Sequence, residues 1–329
     1  MSDRPEDTPP ADATPASAQP LPQRERFRGA LLGFAVGDAL GAPAEFLSRE
    51  QVAERWGLLT EMVGGGCHNV APGEVTDDTE MLLCLAESLA ASGDFDPQDV
   101  VRRYMAWFES NPTDVGLTVR TTLLSIRSGT PWERAARRAH VVLGRMSAGN
   151  GSLMRSPAIA LRYANDPARR REVALQESML THFDRLAGWA CVAYTDIVAA
   201  ALAGTSALRA LVPASAAAIE ADEPRVAAVL RDALEASRAE IVASGYVLDT
   251  LKAALWAVLH SEDFEQALIE AVNLGDDADT VGALTGALAG ALYGERAIPV
   301  RWSAALTVTQ RLNDAAERLA DLAGVDKQS

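Results

Sequence analysis

The chain has 329 residues, 48% of them hydrophobic, with a formal charge of −15 and a pI near 4.8. That supplies apolar material for a sizeable core, and the acidic balance argues against nucleic acid or anionic membrane as a partner. Three widely spaced cysteines, Cys67, Cys84 and Cys191, argue against a disulfide framework and against a zinc ligand set, and make a reducing cytoplasm the expected compartment.

Residues 1–23, MSDRPEDTPPADATPASAQPLPQ, hold six prolines and four acids and almost nothing large and apolar. They read as a disordered tail without the make-up of a signal peptide. From Arg24 onward helical patterns dominate. Apolar residues recur near every 3.6 positions in 24–40, 78–92, 97–110, 185–204, 223–242, 246–261 and 301–323. Alternating strand patterns are scarce, and no stretch of 18 or more apolar residues lacks a charge or breaker. The expected class is all-α, one domain over 24–329, with 205–244 as an Ala-rich helical insertion.

Gly29, Gly33, Gly37 and Gly41 recur every four residues in the first helical segment, and Gly282, Gly286, Gly290 and Gly294 do the same near the end. Each glycine inside a helix costs about 1 kcal/mol relative to alanine. Glycines four apart share one face, and a bare face lets another helix come close. Both helices are therefore expected at the centre of the bundle, against each other. Gly41 and Gly294 could equally be helix ends.

Two acidic clusters stand at the starts of helical patterns. One is Thr76, Asp77, Asp78 and Thr79; the other is Asp276, Asp277, Asp279 and Thr280. Each cluster alone reads as helix capping, since Asp and Thr accept bonds from free backbone N–H groups. One cap per helix suffices, however, and surplus carboxylates repel one another. The combined set is all hard oxygen, which suits Mg²⁺, Mn²⁺ or Ca²⁺ rather than zinc or copper. If the clusters converge, their four carboxylates call for about two divalent ions.

Five segments in this order resemble the ADP-ribosylglycohydrolase family: RGALLGFAVGDALGAPAEF (28–46), PGEVTDDTEM (72–81), GNGSLMRSPAIAL (149–161), THFDRLAG (181–188) and NLGDDADTVGALTGALAGALYG (273–294). The resemblance implies a compact, orthogonal multi-helix bundle around a binuclear metal site. It implies Thr76, Asp77, Asp78, Asp277, Asp279 and Thr280 as ligands of two Mg²⁺ or Mn²⁺ ions. The family usually carries glycine where this chain has Asp276, so Asp276 is given no ligand role. Glu45, by itself an ordinary solvated residue, falls where the family has a glutamate facing the metals. Gly149, Asn150, Gly151 and Ser152, by themselves a turn, match its substrate loop. His182, by itself a structural histidine, matches a position near the bound nucleotide. Asp114 matches a residue near the distal ribose in arginine-directed members. The glycines 64–66 lack the lysine of a P-loop and read as a loop beside the site.

The reaction so implied is hydrolysis of the N-glycosidic bond between ADP-ribose and arginine on a modified protein, with Asp78, Asp277 or Glu45 taking a proton from water. Two other readings follow from the same resemblance. One is a hydrolase of serine-linked ADP-ribose. The other is an immunity protein whose N-terminal tail occludes an ADP-ribosyltransferase toxin.

Overall fold

The computed structural model describes residues 21–205 and 207–326, and among these it has sixteen α-helices and no strand. In chain order they are α1 (Gln23–Gly41), α2 (Arg49–Trp56), α3 (Asp77–Ser92), α4 (Pro97–Glu109), α5 (Leu117–Arg127), α6 (Trp132–Val142), α7 (Pro157–Arg162) and α8 (Pro167–Ser178). Then follow α9 (Arg185–Leu202), α10 (Leu208–Ile219), α11 (Pro224–Glu235), α12 (Val247–Leu259), α13 (Phe264–Val272), α14 (Ala278–Tyr293), α15 (Val300–Ser303) and α16 (Thr309–Leu322). Of the expected tail, residues 1–20 lie outside the described residues, and Gln23 already opens α1.

The glycine stripes do meet. A Cβ added to Gly29, Gly33 or Gly37 would strike the backbone carbonyl of Gly290, Gly286 or Gly282 respectively, and the converse additions strike α1 in the same pairs. The register is antiparallel: one residue forward in α1 is one residue back in α14. Two backbones therefore touch where side chains would otherwise stand, and the close packing offsets the helix propensity that glycine forgoes. The pairing of glycine with glycine stops short at each end. Gly41, the last residue of α1, faces the carbonyl of Ala278, and Gly294 ends α14 with φ +79°.

This pairing positions the site, because it sets the C-terminal end of α1 beside the N-terminal end of α14. Arg24 anchors the other end of α1, donating to Glu317, Asp321 and the carbonyl of Val325 and so docking α16. Leu31, Phe34, Leu82, Tyr194, Leu251 and Leu288 fill the surrounding core without exposure. α9 has the length and apolarity of a membrane span, yet 83% of it is buried inside the bundle.

The expected insertion 205–244 contains two helices, α10 and α11, packed on each other and on α9. The single helix expected over 223–242 ends earlier, at Glu235. There Ser237 and Glu240 form a capping box of their own, with the Ser237 N–H donating to Glu240 at 2.9 Å. Local side-chain bonding outcompetes continuation of the helix. The 301–323 pattern is likewise split, into α15 and α16.

Candidate active site

The N-terminal ends of α3 and α14 face each other across the C-terminal end of α1. Thr76 is the N-cap of α3, in extended backbone. The capping of that helix, however, comes largely from another helix. Asp38, fully buried on α1, accepts from the backbone N–H groups of Thr76 and Thr79, each at 3.1 Å, and from the Thr79 hydroxyl. Asp77 and Asp78 are thereby free of capping duty. On α14, Asp277 occupies the N-cap position but caps nothing. Its carboxylate instead accepts from Asn150 Nδ2, which also donates to Thr250 Oγ1 at 2.9 Å. Sequence reasoning missed Asp38. The available signal was a lone acid in the apolar, glycine-rich run between Arg28 and Glu45.

The two clusters touch. Thr280 Oγ1 donates to Asp78 Oδ2 at 3.2 Å across 202 positions of sequence. Asp77, Asp78, Asp279 and Glu45 are all buried. Burial, reinforced by neighbouring carboxylates, holds Asp77, Asp78 and Asp279 well above the usual carboxylate range. Asp277 is pushed up to about 7 and Asp38 to about 6, again chiefly by burial, with the hydrogen bonds from Asn150 and from Thr79 pulling the other way. Helix N-termini favour negative charge, but two of them cannot offset this many crowded acids. Asp78 Oδ1 is enclosed and has no hydrogen-bond partner. An orphaned buried carboxylate oxygen amid hard-oxygen donors fits a divalent cation, and the residues around it are Thr76, Asp77, Asp78, Asp277, Asp279 and Thr280. Asp276 stays outside this group. It is exposed, with φ +57°, and its backbone trades hydrogen bonds with Phe46 and Leu47 at 2.7 Å each. That left-handed backbone favours glycine, and aspartate tolerates it better than most other residues.

A cleft of about 360 Å³ opens over these acids. Asp77, Asp78, Asp277, Asp279 and Thr280 form its floor, Glu45 and Asp114 one wall, and Gly149, Asn150, Gly151 and His182 another. Ser152 is a correction to the expected substrate loop. Its side chain is buried away from the cleft, accepting from Ser178 Oγ at 2.8 Å, so the loop's cleft-facing part ends at Gly151. A Cβ on Gly151 would lie 2.9 Å from His182 Cε1, so any other residue there would have to displace the imidazole. The loop is held from behind by Arg155, a fully buried guanidinium unnoticed in the sequence. It donates to the carbonyl of Gly151, to Glu177 and to Thr181 Oγ1, each at 2.7 Å, while Tyr104 also donates to Glu177. Thr181 Oγ1, accepting from Arg155, has its own proton for His182 Nδ1 at 2.8 Å. This network assigns the ring proton of His182 to Nε2, on the cleft side. Burial and the charge of Arg155 push the imidazole down to about 3, so it is a neutral donor.

Glu45 follows a short 3₁₀ turn, Ala42–Ala44, and is 4% exposed. It accepts from Cys67 Sγ at 3.3 Å and lies 2.8 Å from His68 Nε2. Burial and the nearby Asp114 carboxylate raise it above the usual range. The glycines 64–66 are thus beside the site, as expected. The distant spacing of the cysteines gave no hint that one of them would meet a histidine and a buried acid.

Residues 19–329 match the family model for ADP-ribosylglycohydrolase, and the chain belongs to that family. It is 35% identical to the ADP-ribosyl dinitrogen reductase glycohydrolase of Rhodospirillum rubrum, over 92% of this chain and 98% of that protein. It is 34% identical to the ADP-ribosylarginine hydrolase Tri1 of Pseudomonas putida (strain GB-1), over 91% of this chain and 79% of that one. A solved structure described as an ADP-ribosylglycohydrolase-related protein complex superposes with a TM-score of 0.77 at 38% identity, covering 92% of this chain and 99% of that chain. The fold is that of the family, and membership makes the chain a hydrolase that acts on ADP-ribosyl linkages.

Proposed function

We propose that this protein hydrolyses the N-glycosidic bond between ADP-ribose and an arginine side chain of a modified protein, with two Mg²⁺ or Mn²⁺ ions held by Thr76, Asp77, Asp78, Asp277, Asp279 and Thr280. The observation that carries this reading is the meeting of two acidic helix starts in one cleft, with Asp78 Oδ1 enclosed and unpartnered. The arginine linkage draws its support from relatives whose names specify it, at 34% identity.

When bound, the metals supply charge that offsets the crowded carboxylates, and orient the ribose hydroxyls and the attacking water. The chain's own residues do the rest. Glu45, held above the usual carboxylate range by burial, is suited to take a proton from water near neutral pH. Asp78 and Asp277 are the other carboxylates able to do so. Asn150 fixes the rotamer of Asp277 by hydrogen bonding. The backbone of Gly149–Gly151 lets phosphate oxygens approach closely, His182 Nε2–H offers a neutral donor beside it, and Asp114 faces the distal ribose. Water adds to the anomeric carbon, the carbon–nitrogen bond breaks, and guanidine departs with a proton.

The test is release of free ADP-ribose from arginine-modified and serine-modified peptides in the presence of Mg²⁺. Release from the arginine peptide, abolished by EDTA, is the expected result. Release confined to the serine peptide, or full activity in EDTA, would overturn the reading.

A further inference from the structure

Cys67 and His68 take no part in the reaction described above, yet the fold holds them against one of its carboxylates. The loop that carries them is built for this. Gly65 and Val70 exchange backbone hydrogen bonds of 2.7 and 3.0 Å, which closes the loop. Gly64, Gly65 and Gly66 all have φ between +65° and +89°. A Cβ on Gly66 would lie 2.5 Å from the carbonyl oxygen of Ala42, so only glycine lets the loop press on the turn that leads into Glu45.

Three donor types converge there. Cys67 Sγ is 3.3 Å from Glu45 Oε2, and His68 Nε2 is 2.8 Å from the same oxygen. One donor atom from each residue lies within 4.8 Å of the others. Asp114 Oδ2 stands 3.8 Å from His68 Nε2, close enough to serve as a fourth. His68 Nε2 is enclosed, and its approach to Glu45 lacks the alignment of a hydrogen bond.

We infer that Glu45, Cys67 and His68 form a site for a thiophilic divalent ion of the zinc type, which adjoins the hard-oxygen site and shares Glu45 with it, since Asp277 and Asp279 also bring a donor atom within 4.8 Å of that carboxylate. Thiolate, imidazole and carboxylate together select zinc over magnesium. Zinc bonds of about 2.0–2.3 Å in a tetrahedron set donors roughly 3.3–3.6 Å apart, so the donors seen here need only small shifts. Cys67 is an exposed residue, yet partial desolvation of its sulfur and the Glu45 charge push the thiol up to about 12, so it is protonated without the ion. Binding forms the metal–sulfur bond and releases that proton to solvent. The consequence rests on the proposed function: an ion here takes Glu45 out of proton transfer, so zinc silences the hydrolase reversibly.

Cobalt(II) replaces zinc as the probe, added to the full-length, Mg²⁺-saturated protein. One equivalent is expected to give a sulfur-to-cobalt charge-transfer absorption, bleached by zinc and missing in Cys67→Ser and Cys67→Ala. Cys67→Ser is expected to match the wild-type rate without zinc and to need at least about tenfold more zinc for half inhibition. The site is overturned if wild-type protein gives no such absorption, or if Cys67→Ser retains it. Absorption with hydrolysis indifferent to zinc overturns the regulatory role. Absorption with no hydrolysis under any condition leaves the site standing and removes the proposed function instead.

Discussion

Two aspartates at the same site have opposite duties. Asp38 is spent on the backbone of α3, accepting from Thr76 and Thr79, whereas Asp279 is surrounded by other acids that raise it well above the usual range, after burial itself. Replacing Asp279 by asparagine removes a buried source of repulsion. The expected outcome is a higher melting temperature for metal-free protein at pH 8 and at least about a 100-fold loss of ADP-ribose release. A lower melting temperature would mean that Asp279 is structural. Arg155 makes the contrasting case. Arg155→Met strands Glu177 without its cation in a fully buried setting, which costs about 3–5 kcal/mol and is read from denaturant midpoints. Arg155→Lys keeps charge but loses the three-way fork, so KM is expected to rise more than kcat falls, because loop and imidazole lose their common support.

At the scale of elements, the contact between α1 and α14 explains why glycine is tolerated at the centre of the bundle. Gly286→Ala drives a methyl into the backbone of Gly33, an overpacking that costs about 1–3 kcal/mol or more. Gly33→Leu is expected to abolish folding, seen as loss of the cooperative thermal transition. Gly116→Ala, whose added methyl meets nothing although it replaces the N-cap glycine of α5, serves as the control and should lower the melting temperature far less. The glycine ladder was legible because a penalty repeated every fourth residue demands compensation. Long helices such as α9 and α12 were legible because each carries enough apolar positions to reveal its period. Short helices such as α2, whose only buried residue is Val52, carry too few to do so, and tertiary contacts and capping decide them. Ser48 supplies that cap with Gln51.

For the whole molecule, the crowd of acids couples folding to pH. Asp277 titrates near 7 and Asp38 near 6 when folded, against about 3.9 for an unperturbed aspartate. Between those values the folded state binds more protons than the unfolded one, so stability falls as pH rises. Metal-free protein is expected to melt lower at pH 8 than at pH 5, and Mg²⁺ is expected to raise the melting temperature more at pH 8, since it stands in for the missing protons. Equal melting at both pH values without metal would contradict this account. The acidic and hydroxyl residues that line the site were legible in the sequence. Its assembly was not, since Asp78 and Thr280 meet only through the register of α1 on α14, and Cys67 reaches Glu45 only through a glycine loop. Ser152 misled because a motif fixes backbone position and leaves the direction of each side chain to packing.

The touching of Asp78 and Thr280 has a temporal side. A ribosome makes Glu45 and Asp78 early and Asp279 only after more than four-fifths of these residues have been joined. Until then α1 has no glycine partner and the early acids have no counterpart. Competence as a catalyst therefore arrives late in synthesis, and nascent fragments, however helical, are inert toward the linkage the finished enzyme cuts.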